Sequence, residues 1–369
     1  MTGAEYALET LPSLSFSRYL RLKGCLLSGA ALANANPLRG ARPPRLRAQV
    51  LGDILHEVMS GINSVTGTSL SQAAFRGRFN AVVSETHAKI AASSSSRHLG
   101  DPNYWPELVD VYRRLVDVVE MRRTGERSVG VDTYAERKLT SRDGLLWGQV
   151  DAYFLSKDGI DLVDYKSGAV LEGDEPKQDY EDQLYFYAYL VHEAHDVYPR
   201  SLGLVGRDGS VVSLPPSPDR SSALAKEMRS LLAHYNEVVS QGRPAEELAS
   251  PTSESCLFCD RKAICERFWG ALPSLDIPPW NHVAIGVQTT PLVRTARGGG
   301  WLELAVEKSS LSAQAIKVTR VFEQRFPAVD LEHRVGQRLL LTGLRQSQTG
   351  NASVAEATER SAIICMGSP

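Results

Sequence analysis

The sequence predicts a mixed α/β core with helices on both faces of a sheet, followed by a small, mainly β C-terminal domain. Three observations predict it. Residues 146–168, LWGQVDAYFLSKDGIDLVDYKSG, hold two alternating apolar runs, Leu146 to Leu155 and Ile160 to Tyr165, around the turn Lys157-Asp158-Gly159. This is the pattern of a β-hairpin in which Gly159 takes a positive φ. Stretches with helical spacing flank the hairpin on both sides, giving the order helix, three strands, helix, strands, helix. Beyond a Pro-containing stretch, LPSLDIPPW at 272–280, five short β-like runs follow. The expected organisation is a core over 1–271 with a helical insert at about 60–125, a linker over 272–280 and a β-rich domain over 281–369.

Composition limits the function classes. With 43% hydrophobic and 23% charged residues in 369, the chain has ordinary globular composition and room for two domains. No apolar run approaches the ~18 residues of a membrane span. The N-terminal MTGAEYALETLPSL carries acids and no cationic segment, unlike a signal peptide. Five cysteines are too few and too unevenly placed for a secreted disulfide scaffold, and a reducing cytoplasm fits them better. A formal net charge of −2 argues against a uniformly basic nucleic-acid coat but not against a local track. Between Glu9 and Asp53 there is no acid, while Arg18, Arg21, Lys23, Arg39, Arg42, Arg45 and Arg47 fall in the gap. That segment could follow a phosphate backbone, or it could be a solvated charged face.

In chain order, PSLSFSRYLRLKGC (12–25) predicts a short helix capped by Ser13 or Ser15 and carrying Cys25. A Pro- and Arg-rich loop at about 36–45 precedes a helix in which Val50, Ile54, Leu55 and Val58 share a face and which carries His56. Residues 69–94 and 104–123 read as two further helices of an insert. Ser128 to Leu139 alternates like a strand and should pair antiparallel with 145–155, bringing Glu136 near the hairpin. Residues 178–197 form an amphipathic helix with Leu184, Ala188 and Val191 inward and with Gln183 and Tyr187 on one face. A second hairpin at 201–215 and a helix at 219–241 complete the core. In the C-terminal part the runs are 282–289, 301–307, 315–322, 337–344 and 361–366, the third of which also has helical spacing. Five short strands fit an OB-like barrel, which commonly binds single strands; a protein-docking module is the rival.

The chemistry concentrates in the first hairpin. Asp151 lies in its first strand and Asp164 near the end of the second, with Lys166 two residues on and therefore on the same face. Two converging carboxylates repel and raise each other's pKa values. A divalent cation relieves that repulsion, and Mg²⁺ favours one or two carboxylates with waters and a substrate phosphate. An ordinary hairpin with surface charges is the plainer reading of an Asp-x-Lys triplet alone. A second cluster is Cys256, Cys259 and Cys265, spaced C-x2-C-x5-C amid polar residues. With Cys25 they would supply four thiolates, enough for a [4Fe–4S] cluster or a structural zinc, or they could be free core cysteines. Cys365 lies outside that pattern.

The run of GxVD at 148–151, DYKSG at 164–168 and YEDQLYFYAYL at 180–190 resembles the core of PD-(D/E)XK nucleases, in particular the RecB/AddB-type branch. The resemblance implies a restriction-endonuclease-like fold and a metal-dependent deoxyribonuclease acting on DNA, with single-stranded ends as substrate and exonucleolytic cleavage ahead of endonucleolytic. Asp151 and Asp164, with the Tyr165 main-chain carbonyl, would hold Mg²⁺ or Mn²⁺. His56 would join them, because Leu51-Gly52 with His56 resembles the family's histidine-bearing helix. Lys166 would orient the attacking water or stabilise the transition state, Gln183 and Tyr187 would stand beside the scissile phosphate, and Glu136 matches a position where the family often has a glutamate. A distant N-terminal Cys25 with Cys256, Cys259 and Cys265 is similar to the iron–sulfur staple of AddB-type and CRISPR-associated relatives, and would close a loop of about 230 residues. Arg18, Arg21, Lys23, Arg45 and Arg47 are the DNA-contact candidates. No Gly-x4-Gly-Lys-Ser/Thr loop occurs, so any coupled helicase must act in trans. Repair, CRISPR-type processing and anti-phage defence all fit. The rivals are a catalytically silent iron–sulfur assembly subunit and a zinc-stapled DNA-binding protein.

Overall fold

A computed structural model describes residues 8–32, 45–63, 71–92, 96, 99–125, 132–166, 169–206, 210–257, 259, 261–262, 265–296, 299–321, 331–347, 353–358 and 361–366. The Arg39 and Arg42 loop, the start of the strand expected from Ser128, and the turns at 207–209 and 348–352 lie outside the described residues.

One mixed sheet forms the core. Its strands are β1 (Leu14–Ser15), β2 (Asp132–Thr140), β3 (Leu146–Ser156), β4 (Gly159–Tyr165), β5 (Ser201–Val205) and β6 (Val211–Leu214). The order is β6-β5-β4-β3-β1, with β2 on the other edge of β3, as the expected three-strand meander requires. Gly159 has φ +127°, the left-handed backbone the turn needs. β4 and β5 run parallel, joined through α6 (Gln178–His195), and β1 also runs parallel to β3.

Helices cover both faces. On one face α1 (Phe16–Gly24), α6 and α7 (Pro218–Ser240) bury Tyr19, Leu22, Leu184, Phe186, Met228 and Tyr235 against Leu146, Val150, Ile160 and Leu204. On the other, α3 (Arg47–Asn63), α4 (Gln72–Ala92) and α5 (Pro106–Gly125) bury Val50, Ile54, Phe75, Val82 and Leu115 against Ala152 and Tyr165. Burial of these apolar stripes, rather than helix propensity, holds the layers together. α1 ends before the residue expected on it: Cys25 is the extended C-cap, between α1 and the short α2 (Leu26–Gly29). Ser15 occupies the N-cap of α1 without a side-chain capping bond, its Oγ lying 3.3 Å from Ser17 Oγ.

The C-terminal strands are β7 (His282–Gln288), β8 (Gly300–Ser309), β9 (Ala315–Val321), β10 (Arg338–Gln346), β11 (Val354–Glu356) and β12 (Ala362–Met366). They close in the ring β7-β8-β9-β11-β10-β7, in which β9 and β11 are parallel and every other pair antiparallel. β12 adds outside the ring to β10. The third run, ambiguous in sequence, is a strand over Ala315–Val321. Leu302, Leu304, Ile316, Val318, Leu339 and Leu341 fill the barrel. Segment 272–280 is packed: Leu272, Leu275 and Ile277 join Cys256, Phe268 and Trp269 against Val283, Ile285 and Leu340.

Candidate active site

The site lies where the central hairpin comes apart. The β3–β4 ladder runs to Ala152↔Val163 and stops, while β4 stays paired with β5 through Asp164↔Leu204 and Tyr165↔Val205. The next amide, Tyr165 N–H, donates instead to Asp151 Oδ2 at 2.7 Å. A carboxylate has replaced a strand partner, and the gap it holds open is the floor of the site.

A second local departure aims the acids. Val150 and Tyr153 both face the α6 layer, although an odd spacing should place them on opposite faces of a regular strand; Tyr134 and Leu139 repeat the anomaly on β2. The two strands therefore switch faces together, at Asp151 and at Glu136, which stand at the same register between the pairs Ala135↔Ala152 and Arg137↔Val150. Glu136 carries the strain, with φ +49° in mid-strand for a non-glycine residue. Both carboxylates turn toward α3. Glu136 Oε1 meets His56 Nδ1 at 2.5 Å, and Asp151 Oδ1 lies 3.7 Å from the same nitrogen.

The resulting cavity, about 440 Å³, is lined by Asp53, His56, Glu136, Gln149, Asp151, Asp164, Tyr165, Lys166, Tyr180, Gln183 and Tyr187. Lys166 Nζ bonds Asp164 Oδ2 at 2.6 Å and Gln183 Oε1 at 2.7 Å, and lies 4.7 Å from the centre of the Tyr180 ring. Gln183 Nε2 donates to Tyr187 Oη at 2.7 Å. The chain Tyr187–Gln183–Lys166–Asp164 thus fixes the ammonium from α6. α6 approaches this closely because residue 148 is glycine: a Cβ there would come within 2.8 Å of Tyr187 Cε1.

Electrostatics follow from burial. Asp164 is 1% exposed and Asp151 7%. Burial, then the neighbouring Asp164 charge, pushes the Asp151 carboxyl up to about 8. Burial also raises Asp164, against the pull of Lys166. Burial works to lower the His56 imidazole, but the Glu136 hydrogen bond and the Asp151 charge outweigh it and raise it to about 9. Burial and the two aspartates push the Tyr187 phenol up as well. His56, Glu136 and Asp151 present ligand atoms within 4.8 Å of one another, an oxygen-rich set with one imidazole that fits a hard divalent cation.

All of the hairpin and helix candidates (His56, Glu136, Asp151, Asp164, Tyr165, Lys166, Gln183 and Tyr187) line this one cavity. Three further lining residues are not evident from the motifs. Gln149 Nε2 donates to Glu136 Oε2 at 2.6 Å. Asp53 lies one turn before His56 on α3, and Tyr180 one turn before Gln183 on α6, so helical spacing from His56 and Gln183 would have found both.

Among the described residues the basic stretch falls in two layers. Arg18, Arg21 and Lys23 lie exposed on α1, in the layer with α7, and Lys23 Nζ pairs with Glu227 at 3.1 Å and Tyr19 Oη at 3.0 Å. Arg45 and Arg47 lie at the start of α3 in the opposite layer; Arg45 pairs with Asp53 at 2.5 Å, on the rim of the cavity, and Arg47 packs 5.5 Å from the Trp105 ring centre.

The four cysteines of the second cluster lie in one neighbourhood, where Cys256 and Cys265 both feel the charges of Cys25 and Cys259. Cys25 Sγ accepts from Ser250 N–H at 3.4 Å, and Cys265 Sγ caps α8 (Glu266–Ala271) by accepting from Phe268 N–H at 3.3 Å. Burial pushes the Cys265 thiol up to about 11, with the charges of Cys25, Cys259 and Cys256 adding to it. Burial raises Cys256 too, again with Cys259 and Cys25 contributing. Among the described residues the one group with three ligand atoms within 4.8 Å of one another is His56, Glu136 and Asp151, and the cysteines do not form such a group.

The chain belongs to the PD-(D/E)XK nuclease superfamily, whose sequence model matches residues 13–266. Membership makes it a nuclease-type protein, with DNA as the substrate class and a divalent metal as the cofactor class. A search of curated proteins returned no match. Among the described residues no helix is long and apolar enough to cross a membrane.

Proposed function

We propose that the protein is a Mg²⁺- or Mn²⁺-dependent deoxyribonuclease of the RecB/AddB-type branch, trimming single-stranded DNA ends exonucleolytically. The observation that carries this reading is the convergence of Asp151, Asp164 and Lys166 with His56 and Glu136 in one cavity. Asp151, Asp164, His56 and the Tyr165 carbonyl hold the cation. A divalent ion there lowers the pKa of a bound water and neutralises charge on the scissile phosphate. Lys166 offers its ammonium to the phosphate oxygens or to the attacking water. Gln183, itself fixed by Tyr187, keeps Lys166 from collapsing onto Asp164 alone. Glu136 orients the His56 ring, as carboxylates beside metal-bound histidines commonly do.

Cys25, Cys256, Cys259 and Cys265 are read as ligands of a [4Fe–4S] cluster that fastens the two ends of a nuclease domain spanning 1–271, zinc being the alternative. The closed five-strand ring supports an OB-like reading of 281–369, beyond a junction at 272–280. Where cleavage is coupled to unwinding, a helicase subunit is the partner this reading proposes, in repair, CRISPR-type or defence processing.

The test is cleavage of end-labelled single- and double-stranded DNA with Mg²⁺ or Mn²⁺ by wild type, Lys166→Ala and Asp151→Ala. Metal-dependent cutting lost in both variants supports the assignment, and the product ladder gives polarity. Cutting that survives both substitutions overturns it. No cutting by cluster-intact wild type favours an assembly subunit. Anaerobic purification separates the cluster from zinc, because only the cluster is brown.

A further inference from the structure

The face switch that aims Asp151 and Glu136 leaves a strip of sheet beside the cavity. Leu146 and Val150 face the α6 layer, so Trp147 and Gln149 point to the opposite side of β3. The register sets Lys138 of β2 opposite Gln149 and Thr140 opposite Trp147, while Ser15 of β1 pairs with Trp147 on the other edge. Further along the sheet this side is covered by α3, α4 and α5, packed on Ala152, Phe154, Val163 and Val205. Beside the cavity the cover stops. Lys138 and Gln149 are exposed and Trp147 is half-exposed, whereas Trp105 and Trp269 are buried in their clusters. Lys138 Nζ lies 4.6 Å from the centre of the Trp147 ring.

Gln149 lines the cavity, so the strip is continuous with it. Trp147 follows about 13 Å along the strand from Asp151, at about 3.3 Å per residue, within reach of a nucleotide flanking the cut. A half-exposed indole with the ammonium of an exposed lysine lying over its ring matches the two parts of a nucleotide once a phosphate draws the lysine aside: a base to stack and a phosphate to pair. The stacking half selects for unpaired strands, because a base inside a duplex already has neighbours on both faces.

We propose that Trp147 and Lys138 form a subsite for an unpaired nucleotide next to the scissile phosphate, the indole stacking on its base and the ammonium pairing with its phosphate. The subsite rests on the nuclease reading and supplies its preference for single strands. Neither residue touches the reacting atoms; both position the strand.

The experiment measures binding by fluorescence anisotropy in the cutting-deficient Lys166→Ala background, using fluorescein-labelled oligo-dT and a blunt duplex of equal length. Adding Trp147→Leu is expected to weaken oligo-dT binding about tenfold and duplex binding less than about twofold, with Trp147→Phe recovering most of the loss. Adding Lys138→Gln is expected to lower the slope of log affinity against log salt by about 0.7 on the single strand. Unfolding midpoints confirm folding; should Trp147→Leu not fold, Trp147→Phe and Lys138→Gln decide, through a smaller affinity loss and the salt slope. Equal losses on both DNAs, parental affinity in the variants, or no oligo-dT binding by the parent overturns the subsite. Wild-type cleavage of the same oligonucleotides is scored separately. A protein that binds through Trp147 but never cuts sinks the nuclease reading alone, and one that cuts with Trp147 irrelevant sinks the subsite alone.

Discussion

The candidate cavity and the cysteine loop both bring together residue types that bind metals, drawn from distant parts of the chain, and they differ in what neutralises them. In the cavity the chain supplies its own cations: Lys166 bonds Asp164, and His56 bonds Glu136 beside Asp151. The cysteine loop has Lys262, which is itself buried. Burial lowers that ammonium to about 8, against the pull of Cys259 and Cys256, and it is occupied by Leu257 O and Asn281 Oδ1, each at 3.2 Å. The cavity is therefore built to fold empty and to exchange its protein cations for a metal. Burial raises the Cys256 and Cys265 thiols and keeps both protonated without an ion, so on the proposed reading the staple arrives with the ion.

Two substitutions test that difference, one in each region. Asp164→Asn removes a ligand from a site that already tolerates protonation. Cleavage should fall by about 10³-fold or more, while the unfolding midpoint stays within a few degrees or rises. On the proposed cluster reading Cys259→Ser should do the reverse in kind: loss of the cluster absorption and a midpoint lower by roughly 10 °C, because an ion that binds only the folded state no longer contributes. Differential scanning calorimetry beside a cleavage assay reads both. A Cys259→Ser protein that melts like wild type would remove the contrast.

The pH dependence extends the contrast. Asp151 in the folded protein keeps its proton up to about 8, whereas an unfolded aspartate loses it near ~3.9. Between those values the folded state binds more protons than the unfolded state, so metal-free stability falls as pH rises. His56, raised to about 9, acts in the same direction: its contribution is complete below the ordinary imidazole pKa and is lost as pH climbs through 9. The metal-free midpoint should decline from pH 5 to pH 9, and Asp151→Asn should flatten the decline. Mg²⁺, which needs deprotonated carboxylates, should raise the midpoint more at pH 9 than at pH 6.

How much of the molecule is legible in its sequence depends on whether a feature obeys a period. The hairpin, the helices on both faces and the α6 pair Gln183 and Tyr187 follow spacings of two or four residues, and those spacings alone place them. The face switch at Glu136 and Asp151 breaks the period, and sequence alone does not show which residue will take φ +49°. The apolar run Ala152-Tyr153-Phe154-Leu155, which gives up alternation, is its trace. The described residues of the basic stretch divide between two layers for a related reason. Sequence adjacency says nothing about layers, and the chain crosses from the α1 face to the α3 face between Lys23 and Arg45. The third C-terminal run is ambiguous because its spacing suits helix and strand alike; pairing with β8 and β11 decides it.

The smallest expected effect concerns Gln149, whose side chain donates to Glu136, the partner of a proposed ligand, rather than to a ligand itself. Glu136 uses both carboxylate oxygens, one toward His56 and the other toward Gln149, and its backbone is held in a strained conformation. Freed on one side, the carboxylate would have room to rotate and the His56 ring would follow. Outer partners of this kind contribute about tenfold in metal affinity. Gln149→Ala should therefore weaken Mn²⁺ binding, read by titration calorimetry, by roughly that factor and leave the unfolding midpoint nearly unchanged. Gln149→Glu should lower the metal-free unfolding midpoint at high pH, because a second carboxylate would face Glu136 where an amide now donates. If Mn²⁺ binds the alanine variant as it binds wild type, Glu136 is held by its backbone alone, and the strain at φ +49° is sufficient to aim it.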